Sequence, residues 1–441
     1  MREMIDSGIE WVGKIPRDWD NKIMRHLLIS RDGGAWGSEP EEDSKGTICL
    51  RIADFNFAKG CFKTCDDDEL THREYTDTQM NRLALKYGDI LIEKSGGGEK
   101  TPVGRAVLYK GEYGAALFAN FMERLRFNTT KIMAEYIEYW LRAWYACKCS
   151  PYYINQTTGI QNINLSLMLS RERVFFPSMD LQYNIVRYLD SVCAEIDALA
   201  ADIQVQIDTL EQYKRSVITE AITKGLNPDV EMACHQISWI EQMPAHWEII
   251  PSKYLFHNSD KRKCEGDQQL TASQKHGIIT QQEYMERENS KIVFANQGLE
   301  NWKHVEPYDF VISLRSFQGG LEMSETTGCI TWHYVVLKAN KPICPRFYKW
   351  LFKSSAYINA LQGTCNFIRD GQDLRFSNFA QVPLYEPPLS EQEDIASYLD
   401  MKCSQIDSIS DQKKEQLTVL EAYKKSLIYE YVTGKKEVPV Q

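Results

Sequence analysis

The stretch from Leu181 to Gly225 reads LQYNIVRYLDSVCAEIDALAADIQVQIDTLEQYKRSVITEAITKG, and a related stretch begins at Leu389 and runs toward the C-terminus. A shift of 210 positions aligns the two, and the matched residues include Tyr188-Leu189-Asp190 with Tyr398-Leu399-Asp400, Ile196-Asp197 with Ile406-Asp407, and Tyr213-Lys214 with Tyr423-Lys424. Internal repetition fixes an architecture before any single residue is interpreted. The sequence therefore indicates that one half of this protein is a copy of the other.

Both copies are predicted to be long helices. Apolar residues in the first copy recur at steps of three and four, at Ile185, Leu189, Val192, Ile196, Leu199, Ile203, Ile207, Leu210, Tyr213 and Val217. Such a narrow seam lets two helices pack along their whole length. Pro387-Pro388, followed by Ser390 and Glu393 at capping-box spacing, marks the start of the second helix. An ordinary pair of core helices shows the same periodicity, but length and duplication favour a two-stranded antiparallel coiled coil that acts as a spacer.

The composition indicates a soluble globular protein of several domains. The chain has 441 residues, 43% of them hydrophobic and 25% charged, which predicts about two to four domains. It shows neither an apolar run of membrane-spanning length nor a secretory leader, so a cytoplasmic location is expected. The 12 cysteines are scattered. Neither Cys61 with Cys65 nor Cys147 with Cys149 is completed by a second pair or a histidine cluster, so the sequence predicts no metal site.

The net charge of -10 argues at first against nucleic-acid binding. Binding depends on local patches, however, whereas net charge governs solubility and long-range steering. The two repeated stretches are themselves acidic: residues 181–225 carry 4 basic and 7 acidic side chains, and residues 389–436 carry 7 and 9. An acidic DNA-contacting subunit is expected to need basic partners.

A second repeated feature precedes each globular half. Trp-x4-Pro-x2-Trp occurs at 11–19 and again at 239–247, and its buried aromatic surface predicts a clamp where each half meets the helices. The halves also share a predicted strand (89–93 and 309–312) and a predicted helix (134–146 and 347–351), while the rest diverges. A shared scaffold with different loops is expected of two recognition modules that read different targets.

Taken together, these features resemble the specificity (S) subunits of type I restriction-modification systems. The resemblance rests on the SGIEW, IP and W residues of 7–19, YGDILI at 87–92, PPLSEQ at 387–392, and the Tyr-Lys-x-Ser endings at 213–216 and 423–426. It covers the whole chain in the order recognition domain, helix, recognition domain, helix. At the first helix, PSMDLQ at 177–182 departs from the pattern because it lacks the second proline and the Glu-Gln pair.

The resemblance implies an α+β fold. Two target-recognition domains of mixed α/β content, residues 1–180 and 229–388, would be separated by two long antiparallel helices, residues 181–228 and 389–441, in a pseudo-twofold internal repeat. Each recognition domain would read one half of a bipartite double-stranded DNA target. The helices would set the gap between the halves and dock two methyltransferase (M) subunits.

The resemblance also implies that the chain is a non-catalytic subunit of a DNA adenine methyltransferase and restriction endonuclease complex. S-adenosylmethionine is expected on the M subunits, ATP and Mg on the restriction/translocase (R) subunits, and no cofactor on this chain. The residues agree, because the sequence contains no Asp/Asn-Pro-Pro-Tyr/Phe methyltransferase motif and no other catalytic constellation. The glycine-rich run 95–101 is a poor phosphate loop, since Glu99 stands where that motif needs glycine.

Base discrimination needs paired donors and acceptors, such as Arg or Lys for guanine and Asn or Gln for adenine. In the first half, residues 94–101 combine lysines with glycines that let the backbone approach a phosphate, and residues 155–162 are dense in amides. The corresponding loops of the second half are 315–320 and 364–372. The candidate DNA-binding residues are Lys94, Ser95, Gly97, Lys100, Asn155, Gln156, Thr157, Gln161, Asn162, Arg315, Ser316, Gln318, Asn366, Arg369, Gln372 and Arg375.

Two alternatives stay open at this point. Gly, Asn, Thr and Gln also populate ordinary surface turns, so each loop has an explanation without DNA. The charged run Asp260-Lys261-Arg262-Lys263 is read as a phosphate contact or as solvated surface. For the whole protein, the alternative function is a duplicated protein-assembly scaffold with no direct DNA readout.

Overall fold

The computed structural model describes residues 2–64, 66–156, 159–237, 239–292, 294–295, 297–313, 316, 320–364 and 374–439. The chain divides into unit 1, Met1–Gln204 with Lys414–Gln441, and unit 2, Val205–Lys413. The helices are α1 Asp77–Leu83, α2 Ala134–Ala146, α3 Leu165–Arg171, α4 Met179–Lys224, α5 Ser252–Leu255, α6 Gln281–Glu288, α7 Pro345–Lys353, α8 Ser355–Gln362, α9 Phe376–Phe379 and α10 Leu389–Val432. The predicted α+β class with two long helices is confirmed.

The strands of unit 1 are short and mostly antiparallel. They are β1 Met4–Asp6, β2 Lys14–Pro16, β3 Asp20–Ile23, β4 Leu28–Gly33, β5 Thr47–Leu50, β6 Phe55–Asn56, β7 Cys61–Phe62, β8 His72–Arg73, β9 Asp89–Glu93, β10 Ser95–Gly96, β11 Ala106–Leu108, β12 Ala116–Phe118, β13 Met122–Phe127, β14 Ile154–Gln156, β15 Gln161–Ile163 and β16 Arg173–Phe176. The main sheet has the order β11-β9-β13-β4. Its apolar side packs on α2, whose Trp140 and Trp144 are fully buried.

Unit 2 repeats this layout. Its strands are β17 Met232–Ile237, β18 Ile240–Pro244, β19 Glu248–Ile250, β20 Phe256–Ser259, β21 Leu270–Ser273, β22 Gly277–Thr280, β23 Lys303–Val305, β24 Phe310–Ile312, β25 Glu322–Met323, β26 Gly328–Ile330, β27 Val335–Ala339 and β28 Leu384–Glu386. The main sheet, β25-β24-β27-β20, has the same order as its counterpart. The pairs β1-β2 and β3-β16 of unit 1 correspond to β17-β18 and β19-β28 of unit 2. The duplication therefore extends from the helices to the strand topology.

One turn shows how the two halves share a scaffold without sharing a sequence. The Asp89 carboxylate accepts the backbone N–H of Lys86 at 2.8 Å, and the Asp309 carboxylate accepts that of Glu306 at 2.8 Å. The residue before each aspartate has a positive φ, 91° at Gly88 and 74° at Tyr308. Glycine adopts that conformation at little cost, whereas a tyrosine is strained there. The aspartate cap holds both turns at the entrance of the central strand.

The long helices run antiparallel within each unit. In unit 1, Tyr188 of α4 packs on Tyr431 of α10 with ring centroids 4.7 Å apart, and farther along α4, Asp197 binds Lys424 at 2.6 Å. In unit 2, Lys214 of α4 binds Asp407 of α10 at 2.6 Å. Asp197 and Asp407 are equivalent in the repeat, and so are Lys214 and Lys424. In one ion pair α4 supplies the aspartate and α10 the lysine, and in the other these roles are reversed. Two copies of one helix that pack antiparallel make equivalent contacts of this kind.

A glutamine fixes the start of each long helix to the unit that precedes it. Gln182 accepts the N–H of Met133 at 2.9 Å and donates to the carbonyls of Lys131 and Pro177 at 3.0 and 2.9 Å. Its repeat partner Gln392 accepts the N–H of Cys344 at 2.9 Å and donates to the Pro387 carbonyl at 2.8 Å. Both side chains are buried. The unusual sequence at 177–182 therefore keeps the residue that this contact requires.

The other helix ends are held by the Trp-x4-Pro-x2-Trp segments, as the sequence predicts. In unit 1, a Cβ atom on Gly434, just after α10, would lie 2.5 Å from Pro16 and 2.8 Å from Trp19. In unit 2, the Trp247 ring lies 3.4 Å from the Cβ position of Gly225, just after α4. Both glycines have φ above 70° and end their helices in the left-handed conformation.

The predicted apolar seam is only partly buried. Ile185, Leu189, Ile196, Ile203, Ile207 and Val217 are buried, but Leu199 and Tyr213 are about half exposed. Their repeat equivalents Ile409 and Tyr423 are exposed to the same degree. A pair of helices covers only one side of each helix, so the seam prediction is wrong at these positions. None of the helices formed by the described residues combines the length and apolar composition needed to cross a membrane.

The repeat offers a matched test of the buried ion pair. The Lys424 side chain is 9% exposed, whereas that of Lys214 is 28% exposed. Removing one partner of a buried pair leaves an uncompensated charge, so Lys424→Met should lower the free energy of unfolding by about 3 kcal/mol. Lys214→Met should cost about 1 kcal/mol or less because solvent screens its pair. Urea unfolding of the full chain measures both, and equal losses would contradict this assignment.

Candidate nucleic-acid interface

The two loops predicted to read DNA in the first half meet in one small sheet of unit 1. Its strand order is β10-β15-β14. Ser95 pairs with Asn162 and Gly96 with Gln161, while Asn155 pairs with Asn162 across the next strand. The Ser95 hydroxyl donates to the Asn162 Oδ1 at 2.6 Å. Residues 60 positions apart in the sequence thus form a single polar surface.

Lys94 gives this surface a positive charge that is only partly neutralised. Its Nζ lies 3.2 Å from Glu123 Oε1, and the same carboxylate also binds the Arg31 guanidinium. Burial alone would raise the pKa of Glu123, but the hydrogen bonds and charges of Arg31 and Lys94 outweigh it, and the pKa lies below its ordinary value. Glu123 is therefore ionised at neutral pH. Two cations share one carboxylate, so the cluster carries a net positive charge.

Gly97 and Lys100 lie on the turn that follows β10. The Gly98 N–H donates to the Thr101 carbonyl at 3.0 Å and closes the turn. Gly97 has φ of 62°, and a Cβ atom there would lie 2.9 Å from the Thr101 carbonyl oxygen and the Val103 nitrogen. Lys100 is exposed and lines a cavity of about 910 Å³ whose wall includes Tyr145 and Lys424. The glycine is thus required by the turn itself, whatever the loop binds.

The amide-rich loop, residues 155–162, contains both an exposed side chain and a buried one that takes part in an internal hydrogen bond. Asn155 is exposed. Gln161 is 6% exposed, and its Oε1 accepts the Val103 N–H at 3.3 Å, so this side chain supports the neighbouring loop. The side chain of Gln156 and the whole of Thr157 lie outside the described part of the structure.

In unit 2 most of the candidate residues, namely Arg315, Gln318, Asn366, Arg369 and Gln372, lie outside the described residues. Ser316 is buried, and its hydroxyl accepts the Ser313 N–H at 2.8 Å. Arg375 is exposed at the start of α9, where its N–H donates to Asn378 Oδ1 at 3.1 Å. The Asn378 amide also donates to the Thr364 carbonyl at 3.0 Å, so a hydrogen bond joins the residue at the start of the 364–372 loop to α9.

The structure adds residues that the sequence did not single out. Arg31 on β4 donates to Ser166 Oγ at 2.8 Å and binds the Glu123 carboxylate beside Lys94. The Phe121 carbonyl accepts the N–H groups of Lys94 and Ser95, and its ring is half exposed. Tyr152 lies three residues before Asn155, and its side chain is 81% exposed. Only Tyr152 is close in sequence to a predicted loop and could have been found there as an exposed aromatic near amides.

Adjacent glycines provide a matched test of the turn. Gly97→Ala places a Cβ against backbone atoms at positive φ, while the Cβ of Gly98→Ala would have no atom within 4 Å. Gly97→Ala should destabilise the turn by about 1–3 kcal/mol, and Gly98→Ala should change it little. Hydrogen exchange of the amides between 95 and 103 measures this. Equal loss of protection in both variants would show that the turn does not depend on Gly97.

No protein-family model matches the sequence. The chain is 24% identical over 445 aligned positions to the type I restriction enzyme MjaX specificity subunit of Methanocaldococcus jannaschii, covering 97% of this chain and 96% of that protein. A chain from a structure of complex assembly and conformational transition in the type I R-M system has a TM-score of 0.67 at 13% identity, covering 96% of this chain and 99% of that one. The HsdS subunit from Thermoanaerobacter tengcongensis gives a TM-score of 0.49 at 12% identity over 96% and 98%.

The sequence alignment with the M. jannaschii subunit includes both copies of the repeat. The structural match with a TM-score of 0.67 also includes both copies. Both cover the order of globular part, helix, globular part, helix that the sequence analysis identified. The predicted resemblance is confirmed: over nearly its whole length, this chain is similar in sequence to a type I restriction enzyme specificity subunit and similar in fold to a chain of a type I R-M system.

Proposed function

We propose that this chain is the DNA sequence-recognition subunit of a type I restriction-modification complex. Each recognition domain, residues 1–180 and 229–388, reads one half of a bipartite double-stranded target. The long helices, predicted at 181–228 and 389–441 and observed as α4 Met179–Lys224 and α10 Leu389–Val432, set the gap between the halves. The observation that carries the proposal is the β10-β15-β14 sheet, where the two predicted loops form one surface with exposed Asn155 and the charged Lys94.

The chemistry of that sheet suits DNA better than it suits a protein surface. Arg31 and Lys94 outnumber the single carboxylate between them and can neutralise a phosphate. The amide of Asn155 can pair with an adenine edge. The chain as a whole is acidic, so it is expected to bind DNA weakly by itself and to depend on partners for affinity.

Two equivalent surfaces on the long helices support the docking of two M subunits. Leu199 and Tyr423 are exposed in unit 1, and their repeat counterparts Ile409 and Tyr213 are exposed in unit 2. Apolar side chains exposed at matching positions of a repeat are expected where two copies of one partner bind. M subunits would bring S-adenosylmethionine, and R subunits would bring ATP and Mg. This chain would act in the cytoplasm and contribute no catalytic residue.

Half-site selectivity tests the DNA-recognition proposal. Asn155→Ala should relax discrimination in one half-site only, by about 1–3 kcal/mol, because it removes a bidentate base contact. Arg375→Ala should relax only the other half-site, so each variant is the control for the other. The measurement is binding of the assembled complex, at fixed salt, to DNAs changed in one half at a time. Relaxation of both halves by either variant would contradict modular reading, and uniform weakening would make the residue a phosphate contact.

Subunit stoichiometry tests the docking proposal. Tyr213→Glu and Tyr423→Glu each place a charge in one of the two equivalent surfaces and should each remove one of two M subunits. Tyr254→Glu, at an exposed tyrosine on the short helix α5, is the control. Native mass spectrometry of the DNA-bound complex counts the subunits. A single M subunit in the active wild-type complex would refute the proposal. Bound M without sequence-dependent protection of DNA would favour the assembly scaffold instead.

A further inference from the structure

We propose that unit 2 contains a structural site for a zinc-class divalent cation, formed by Cys264, Asp267 and His304. One donor atom of each residue lies within 4.8 Å of the other two. The proposal concerns the stability of unit 2 and does not depend on the function proposed above. No short-range spacing in the sequence indicates this cluster, because His304 is 40 positions from Cys264.

Local structure brings the three donors together. Cys264 and Asp267 close a turn in which the Cys264 N–H donates to Asp267 Oδ2 at 2.7 Å and the Asp267 N–H to the Cys264 carbonyl at 3.3 Å. His304 lies on β23, and its N–H donates to the Lys261 carbonyl at 2.8 Å. The Lys263 N–H donates to the Trp302 carbonyl at 2.9 Å. Backbone hydrogen bonds therefore fix the turn beside the strand that carries the imidazole.

Both nitrogens of the buried His304 ring face carboxylates. Nδ1 lies 2.8 Å from Asp267 Oδ2, and Nε2 lies 3.1 Å from Glu306 Oε1. The His304 and Asp267 side chains are only 7% and 4% exposed. A neutral ring can donate to one of these carboxylates but not to both. With its proton on Nε2 toward Glu306, the ring presents the lone pair of Nδ1 to Asp267 and Cys264, as a metal-binding histidine would.

Glu306 contacts the Nε2 side of the His304 ring, which is where a carboxylate would orient a histidine that binds metal through Nδ1. It is held by Lys261 at 3.0 Å and Lys338 at 2.6 Å. A carboxylate that accepts the second ring N–H fixes the tautomer and orientation of a metal-binding histidine. Nδ1 then faces Asp267 and Cys264 and is the ring nitrogen that would bind the metal.

The donor set selects the class of metal. Thiolate, imidazole and carboxylate are ligands of zinc, whereas Mg²⁺ and Ca²⁺ prefer oxygen alone. Three protein donors leave the fourth tetrahedral position to water. Binding would release the thiol proton of Cys264, because the thiolate is the ligand. The bound ion would fasten the turn at 264–267, and with it the basic run Lys261-Arg262-Lys263, to β23.

Cobalt substitution in the full-length chain tests the site. After chelator treatment, wild type should bind about one Co²⁺ with a thiolate-to-cobalt charge-transfer band that zinc then abolishes. Cys264→Ser should lose the band, and His304→Gln should weaken binding strongly. Glu306→Gln should weaken it about 10–100-fold through the lost outer-shell contact. The matched controls are Cys234→Ser, an exposed cysteine outside the cluster, and His276→Gln, a histidine bound to Glu288 at 2.7 Å without a cysteine.

The cobalt experiment distinguishes a built metal site from adventitious binding and from an absent site. A band lost in Cys264→Ser and kept in both controls, together with a zinc-dependent rise of the unfolding midpoint in wild type, supports the site. A wild-type chain without the band overturns it, and the imidazolium form of His304 then bridges the two carboxylates. A band that persists in Cys264→Ser, or equal zinc content in all variants, shows adventitious binding and also overturns it. If His304→Gln fails to fold, the conservative Cys264→Ser and the wild-type titration still decide.

Discussion

The ammonium group of Lys424 on α10 connects α10 to two other parts of unit 1. It binds both oxygens of Asp197 across the helix pair and also donates to the Ala58 carbonyl at 3.0 Å on the β6-β7 hairpin. Arg142 of α2 donates to the same carbonyl at 3.2 Å. A buried ammonium is costly unless each of its donors is satisfied. Its contacts therefore fix the register of two helices and the position of the globular part relative to them.

The repeat uses equivalent residues for equivalent tasks, with adjustments for their surroundings. Asp190 accepts the Tyr139 hydroxyl at 2.6 Å, and its counterpart Asp400 accepts the Trp350 indole N–H at 2.8 Å. In both units the carboxylate of a long helix holds the helix that packs on the main sheet. The donor differs in type and in position, because Trp350 is the repeat equivalent of Trp140 and not of Tyr139. Such contacts explain how the scaffold is kept in two halves whose loops have diverged.

An acidic chain can present a basic surface because charge acts locally in the folded protein. The Arg31, Lys94 and Glu123 cluster carries a net positive charge in a chain of net charge -10. Much of the acidity lies on the long helices, where partners rather than DNA are proposed to bind. Under the proposed function, this separation would let the chain attract DNA at one surface and basic partners at another, with the range of each field limited to about 8 Å at physiological salt.

The sequence by itself determined the features that depend on local order. The duplication, the two long helices, the strand at 89–93, the helix at 134–146 and the Trp-Pro-Trp clamps follow from spacing and composition, because helical and strand periodicities are properties of neighbouring residues. The similarity to a type I specificity subunit followed from the same motifs. The candidate DNA-binding loops at 94–101 and 155–162 were identified separately from their composition, and the sequence did not predict that they share a sheet.

Only the tertiary structure decided what each side chain faces. Gln161 lies in a predicted recognition loop but is used to support Val103, and Arg31 joins Lys94 although 63 positions separate them. Leu199 and Tyr213 fit the helical seam and are nevertheless exposed, because a single partner helix covers one side. Cys264, Asp267 and His304 meet only when a turn is laid beside a strand. Burial and charge pairing depend on residues that are distant along the chain, and short-range patterns carry no information about them.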